Sequence, residues 1–278
     1  MKGDKYILGI SGGKDSTAMI LEMLYERNVS IDKLEFVFLD TGWESEITYQ
    51  YIKYLEKELN IDIKKLQAKY TIKDEHKEVY SKIVTILGKE SNMVKQILNQ
   101  KMFPSGYAQW CTRQLKIKPL KDYFNTIDFD PINTIGIRRE ESKRRSKMTE
   151  YEFSDYLDCW VYRPILDMKI DQVIQLHHKY NILPNDLYIK GNQQRVGCYP
   201  CIRSNKKELA NFNDKKIIQV IKILEEYISE KREKQCTFFK SGKIEDVLEW
   251  SRTSRGGKQF YLFNLNAPEC KKWGMCGI

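Results

Sequence analysis

Apolar residues dominate KYILGI (5–10), a run of strand length, while residues 15–28 place them at helical spacing. The alternation then recurs. LEFVFLD (34–40) reads as a second buried strand, EITYQYIKYLEKEL (46–59) as an amphipathic helix, and IDIKKLQ (61–67) alternates like a third strand. INTIGI (132–137) is a further buried strand, opening into the basic run RREESKRRSK. Strands separated by helices predict an α/β fold, a parallel twisted sheet with helices on both faces. Residues 76–103 are polar and helical in character up to the FPSG break, and TRQLKIKPLKDYF (112–124) has helical periodicity, with Pro119 as a kink or boundary.

After WVYRPILDM (160–168) the pattern changes. IDQVIQLHHKYN predicts a short helix, followed by a loop-rich segment with Gly191, Gly197 and a cysteine pair. NDKKIIQVIKILEEYISEKREK (213–234) predicts a long amphipathic helix and 243–251 a shorter one. The division falls near residue 165. Residues 1–165 are expected to form the sheet domain, and 166–278 a smaller helical, cysteine-bearing portion.

Composition refines this picture. No window approaches eighteen consecutive apolar residues, so no transmembrane helix is expected. The start, MKGDKYILGI, has too short an apolar run for a secretory signal and no small-residue cleavage site, so a soluble cytoplasmic protein is expected. The net charge of +9, from 47 Lys and Arg against 38 Asp and Glu, suits a polyanionic partner or a Lys-rich solvated surface. Seven cysteines, an odd count, point to metal ligands or reactive thiols rather than a disulfide framework.

The candidate chemistry begins between the first strand and first helix, at Ser11-Gly12-Gly13-Lys14-Asp15-Ser16-Thr17. This is not the G-x-x-x-x-G-K-[ST] loop. Adjacent glycines let the backbone turn tightly and bring its N–H groups close to an anion. Ser16 and Thr17 fall at the helix start, where N–H groups and hydroxyls face the same anion, and Lys14 adds a positive charge. Asp15 has to cap the helix, or orient Lys14 or a metal. The alternative is a glycine turn with a helix cap. Asp40-Thr41-Gly42 stands at the carboxyl end of the second strand, where ligands bind in open α/β sheets. Gly136, Arg138, Arg139, Glu141, Ser142 and Arg145 follow the buried strand 132–137, and guanidinium groups so placed make a bidentate clamp for phosphate or sulfate oxygens. A basic surface loop is the alternative.

The hexapeptide SGGKDS resembles the signature of the PP-loop ATP pyrophosphatases, whose loop grips the pyrophosphate end of ATP. DTGWESEIT and GIRREESKRR resemble segments of the phosphoadenosine-phosphosulfate (PAPS) reductase family, a branch of that superfamily, and WVYRPILDMKIDQV its downstream strand-to-helix stretch, with Arg163 and Asp167 in supporting roles. Four motifs in order cover roughly residues 5–205. The resemblance implies a PP-loop nucleotide-binding domain that adenylylates an acceptor, with Mg²⁺ bridging the phosphates. It implies Lys14, Asp15 and Arg138 as catalytic residues. The nucleotide would be held by Ser11, Gly12, Gly13, Lys14, Asp15, Ser16, Thr17, Asp40, Thr41, Gly42, Gly136, Arg138, Arg139 and Arg145.

The cysteines point to an acceptor class. Cys198 and Cys201 form a C-x-x-C pair in a Gly- and Pro-containing loop, which aims two thiolates at one point; two buried inert thiols or a redox disulfide are the alternatives. Four ligands are needed for zinc or a [4Fe–4S] cluster, and Cys111 is a candidate third because it opens the helix expected at the top of the sheet. Cluster-bearing members of the family use a cysteine before T-x-x-x-K and then a GCxxC segment, and both are matched here. The adenylyl-sulfate reductases carry adjacent cysteines where this chain has Trp110-Cys111, so the fourth ligand is expected from Cys276, with Cys270 as the alternative. Cys159 is expected in the core. The C-terminal ECKKW departs from the ECGLH of sulfonucleotide reductases. An ATP-type loop beside these cysteines looks more like the DNA-phosphorothioation enzymes and the cluster-containing nucleobase thiolases. That likeness implies sulfur transfer to tRNA or DNA, with a sulfur-donor protein such as a cysteine desulfurase. A sulfonucleotide reductase and a zinc-stabilised nucleotide-binding protein are the alternatives. His76, His177 and His178 match no motif and are read as surface or helix-support residues.

Overall fold

The first apolar run is β1 (Lys5–Ile10), which passes through Ser11–Gly13 into α1 (Lys14–Leu21). This computed structural model describes residues 4–191, 193–255 and Trp273. The helix continues as a wider π turn over Glu22–Glu26. Next come β2 (Leu34–Asp40), α2 (Glu46–Leu59) and β3 (Ile63–Gln67). Ser45 caps α2, its hydroxyl accepting from Ile47 N–H, and Asn60 closes the helix in the left-handed conformation. Two helices, α3 (Lys77–Leu87) and α4 (Asn92–Gln100), fill the polar stretch before the FPSG break. A continuous helical run follows, α5 (Trp110–Thr112), a π turn over Arg113–Ile117, and α6 (Lys118–Phe124). Pro119 sits in the first turn of α6, directly after the π turn, so the expected kink or boundary falls at the change from π to α geometry.

The sheet is completed by β4 (Pro131–Ile135), β5 (Tyr151–Ser154) and β6 (Cys159–Tyr162), in the order β3-β2-β1-β4-β6-β5. Every pairing is parallel except β5 with β6. Register places Leu8 beside Phe36 and Thr134. The expected α/β architecture is present. Strand β4 ends at Ile135, two residues short of the expected 137, because Gly136 leaves the ladder to pass over α1. The antiparallel edge strand β5 is an addition to the pattern read from the sequence.

The remaining elements are α7 (Ile170–Lys179), α8 (Asp186–Ile189), α9 (Lys206–Ala210), α10 (Lys215–Arg232) and α11 (Ile244–Arg252). One sheet face buries Leu8, Ile10, Phe36 and Phe38 beneath α1, α2 and α7. The other buries Ile7 and Val37 against Leu120 and Phe124 of α6, together with Cys159, which is core as expected. A separate core joins α3 and α4 to α10 and α11, through Ile83, Val94, Ile97, Val220, Leu224 and Leu248. Each fully buried side chain of this kind contributes roughly 1.5–3 kcal/mol. Among the described residues no helix is long and apolar enough to cross a membrane.

Candidate nucleotide site and cysteine corner

The β1–α1 loop is held in shape by its own hydroxyls. Ser11 N–H donates to Ser16 Oγ at 3.2 Å, and Gly13 N–H to Ser11 Oγ at 3.3 Å. Ser16 and Thr17 donate back to the Gly13 carbonyl at 2.9 and 3.2 Å. Gly12 has φ +71°, a left-handed conformation, and a Cβ there would lie 2.8 Å from the Thr48 methyl. Gly13 caps α1 without a side-chain bond of its own, and a helix start is where an anion is favoured.

The loop's support comes from 177–188, a segment the sequence reading did not single out for the site. Asn185 Nδ2 donates to the Gly12 carbonyl at 3.1 Å, and Lys14 N–H donates to the Tyr188 hydroxyl at 3.1 Å. His177 Nε2 lies 3.0 Å from the Lys14 carbonyl oxygen. His177 and His76 are therefore not surface residues, being 1% and 0% exposed. Apolar packing draws them inward, His177 against Trp273 and His76 against Tyr227, while His178 stays exposed. A polar residue among the apolar positions of α7, just before the N-D-L-Y turn, is the signal that was available.

Lys14 Nζ lies over the Tyr188 ring, 4.7 Å from its centre, and donates to the Gln194 carbonyl at 3.2 Å. Asp15 receives the Arg138 guanidinium at 2.5 Å, and Arg138 also pairs with Glu140. Gly136 permits this meeting. A Cβ at that position would sit 2.6 Å from the Asp15 carbonyl oxygen, backbone against backbone. The expected guanidinium cluster is thus divided. Arg138 reaches the loop through Asp15, whereas Arg139 pairs with Asp167 and Arg145 with Glu141. Arg163 is buried, donating to the Thr149 carbonyl and to Glu152.

At the end of β2, Asp40 is nearly inaccessible at 1% exposure. Its carboxylate accepts from Gly42 N–H and the Tyr49 hydroxyl on one oxygen, and from Gln67 and Lys65 on the other. Burial works to raise its pKa, but Lys65, Tyr49 and Gly42 N–H outweigh burial and hold it below the usual carboxylate value. Gly42, with φ +71°, lets the chain pass Ser91, whose Cα would be 2.7 Å from a Cβ there. Thr41 turns toward Glu44, its hydroxyl donating at 2.8 Å.

The cysteine loop docks on this turn. Tyr199 N–H donates to the Trp43 carbonyl at 2.8 Å, and the Trp43 indole N–H to the Pro200 carbonyl at 3.2 Å. Cys198 Sγ comes to rest 3.9 Å from Thr41 Oγ1 and 4.0 Å from Glu44 Oε1. Burial pushes the Cys198 thiol up to about 12, against the opposing charge of Lys116. Burial and the Asp40 charge likewise raise Glu44, with Lys116 again opposing. Lys116 closes the set. Burial disfavours its charge, yet Cys198, Glu44, Cys201 and Cys111 together raise its pKa. Cys111, Cys198 and Cys201 thus all lie within electrostatic reach of one ammonium group. Even so, among the described residues no group of three or more His, Cys, Asp or Glu side chains is placed to hold a metal ion. Cys276 and Cys270 lie outside the described residues.

The family model of the phosphoadenosine phosphosulfate reductase domain matches residues 5–204. The chain belongs to that family. A 37.8 kDa protein of Escherichia phage 186 is 29% identical, over 92% of this chain and 90% of its own length. A protein of Methanocaldococcus jannaschii is 30% identical over 69% of this chain, which spans only 40% of that relative. Among solved structures, the PAPS reductase of Candida auris, in a phosphate complex, aligns with a TM-score of 0.48 and 14% identity, over 71% of this chain and 82% of that one. The FMN adenylyltransferase of Candida glabrata, with FAD and pyrophosphate, gives a TM-score of 0.42 and 12% identity, over 70% and 55%.

Proposed function

We propose that this member of the PAPS reductase family binds ATP at the β1–α1 loop and transfers its adenylyl group to an acceptor, as a step in sulfur transfer to tRNA or DNA. The carrying observation is the meeting of the Gly13-capped start of α1 with Lys14, Asp15 and buried Arg138, at the carboxyl ends of β1 and β4. In this reading the loop N–H groups and Lys14 hold the β- and γ-phosphates as the leaving group. Donors fixed in advance stabilise the charge that develops there. Asp15, oriented by Arg138, is the carboxylate that would hold a Mg²⁺ ion, which when bound would neutralise phosphate charge. Asp40, Thr41, Gly42, Gly136, Arg139 and Arg145 complete the proposed nucleotide-contacting set.

Sulfur chemistry is assigned to the cysteine corner. Cys111, Cys198 and Cys201 are the protein's proposed ligands to a [4Fe–4S] cluster, with Cys276, or Cys270 in its place, as the fourth; zinc is the alternative metal. Loading requires the three thiols to close in from the arrangement described above. Sulfur would be delivered by a donor protein such as a cysteine desulfurase. Anaerobic purification followed by iron, sulfide and zinc analysis separates cluster from zinc. Incubation with labelled ATP and candidate tRNA, DNA and sulfonucleotide acceptors should release pyrophosphate. No release with any acceptor would contradict the proposal. The family match favours a second reading, reduction of a sulfonucleotide, for which sulfite released from PAPS or adenylyl sulfate would be the readout.

A further inference from the structure

His177 is buried on α7 with both ring nitrogens facing backbone carbonyls. Nδ1 lies 3.1 Å from the Ile182 oxygen and Nε2 3.0 Å from the Lys14 oxygen. A neutral imidazole has one N–H and one lone pair, so it satisfies one of these acceptors and turns a lone pair on the other. The imidazolium satisfies both. The two carbonyls differ in consequence, because Lys14 is the residue whose N–H and ammonium are held by Tyr188 and Gln194 beside the loop. The Trp273 ring closes the pocket edge-on, with its centre 5.0 Å from the imidazole. A cavity of about 140 Å³, lined in part by His177, His178, Asn181 and Trp273, lies beside the ring.

We propose that His177 is a positioning residue for the glycine loop, and that an anion bound there draws a second proton from solvent onto its ring, locking the Lys14 carbonyl. This rests on reading the loop as a phosphate site. Charged and titratable groups around the ring are Lys14 and Asp15 at the start of α1, His178 beside it on α7, and the Tyr188 hydroxyl behind Trp273. Burial holds His177 below the usual histidine value, and a charged His178 adds to that; the two carbonyls and Asp15 oppose it. Without ligand the ring is therefore neutral at pH 7, with its lone pair turned on one of the two carbonyls. An anion on the N–H side of Lys14 adds negative charge and favours the imidazolium, and by reciprocity the protonated protein binds the anion more tightly. Affinity should rise as pH falls between the free and bound titration points.

The chain has three histidines, so a proton–carbon NMR titration of the full protein resolves each of them. Inorganic pyrophosphate is the probe, with its binding measured by calorimetry in the same samples. His177 is assigned by the signal missing in His177→Gln. The expected result is an upward shift of its titration by about one pH unit at saturating pyrophosphate, equivalent to roughly ten-fold tighter binding to the protonated form, with the distant His76 unmoved. Pyrophosphate binding with no shift at His177 would overturn the inference and leave the loop reading intact. Absence of pyrophosphate binding would overturn both.

Discussion

The glycine loop and the cysteine corner lie at the same end of the sheet but are assembled differently. The loop is made of consecutive residues, and its hydroxyl–backbone bonds run within Ser11–Thr17. The corner gathers Thr41 to Glu44, Cys111 with Lys116, and Cys198 with Cys201, three segments that meet through packing, one backbone bond and one indole-to-carbonyl bond. A site written in local sequence is intolerant of backbone change. One assembled from distant side chains should tolerate the loss of a side chain and respond mainly in chemistry.

The largest effect expected from this difference is at Gly136. Replacing it with Val drives a Cβ into the Asp15 carbonyl, where backbone has to move. ATP-dependent pyrophosphate release should slow by about 100-fold, the scale of a 1 Å misplacement, with roughly 1–3 kcal/mol of stability lost in urea unfolding. Arg138→Met comes next. It leaves Asp15 without its buried guanidinium partner and should cost about 3 kcal/mol. The corner should behave otherwise, Cys198→Ser costing about 1 kcal/mol while leaving ATP affinity within a few-fold of wild type. A large loss of ATP binding in that variant would erase the contrast.

Two smaller effects sharpen it through pH. In metal-free protein the Cys198 thiol, pushed up to about 12, stays protonated at pH 8, so alkylation mapping should find it slow there and still accelerating above pH 10. Asp40 has the opposite sign. Its lowered pKa means that the folded state favours the carboxylate, a stabilisation present above the unfolded value of 3.8 and lost as pH falls through the folded one. Asp40→Asn should therefore cost on the order of 1 kcal/mol near neutrality, and the difference from wild type should vanish in acid.

The same distinction explains what could be read from the chain. β1 to β4 and α2 were legible because their apolar periodicities are local, and α2 begins and ends where its sequence pattern does. β5 was not: Tyr151 and Phe153 are half-exposed on an edge, and the strand is specified by pairing with Trp160 and Tyr162. Ser11–Thr17 announced a turn because glycines and hydroxyls act on their own neighbours. For His177, Asn185 and Tyr188 the one sign was a polar residue among the apolar positions of α7, since their roles depend on a contact across more than 160 residues of chain. The arginine run was legible as charge but not as geometry. Its nearby carboxylates, Glu140, Glu141 and Asp167, claim guanidinium groups that composition alone would leave for a ligand.

Calorimetric titration of Mg-ATP into wild type and Lys14→Ala tests the central claim most directly, because it asks whether this loop holds the phosphates. Saturable binding to wild type is expected, with at least about ten-fold weaker binding to the variant, since a charge-assisted phosphate contact is removed. No binding to wild type, or equal binding to both proteins, would contradict it.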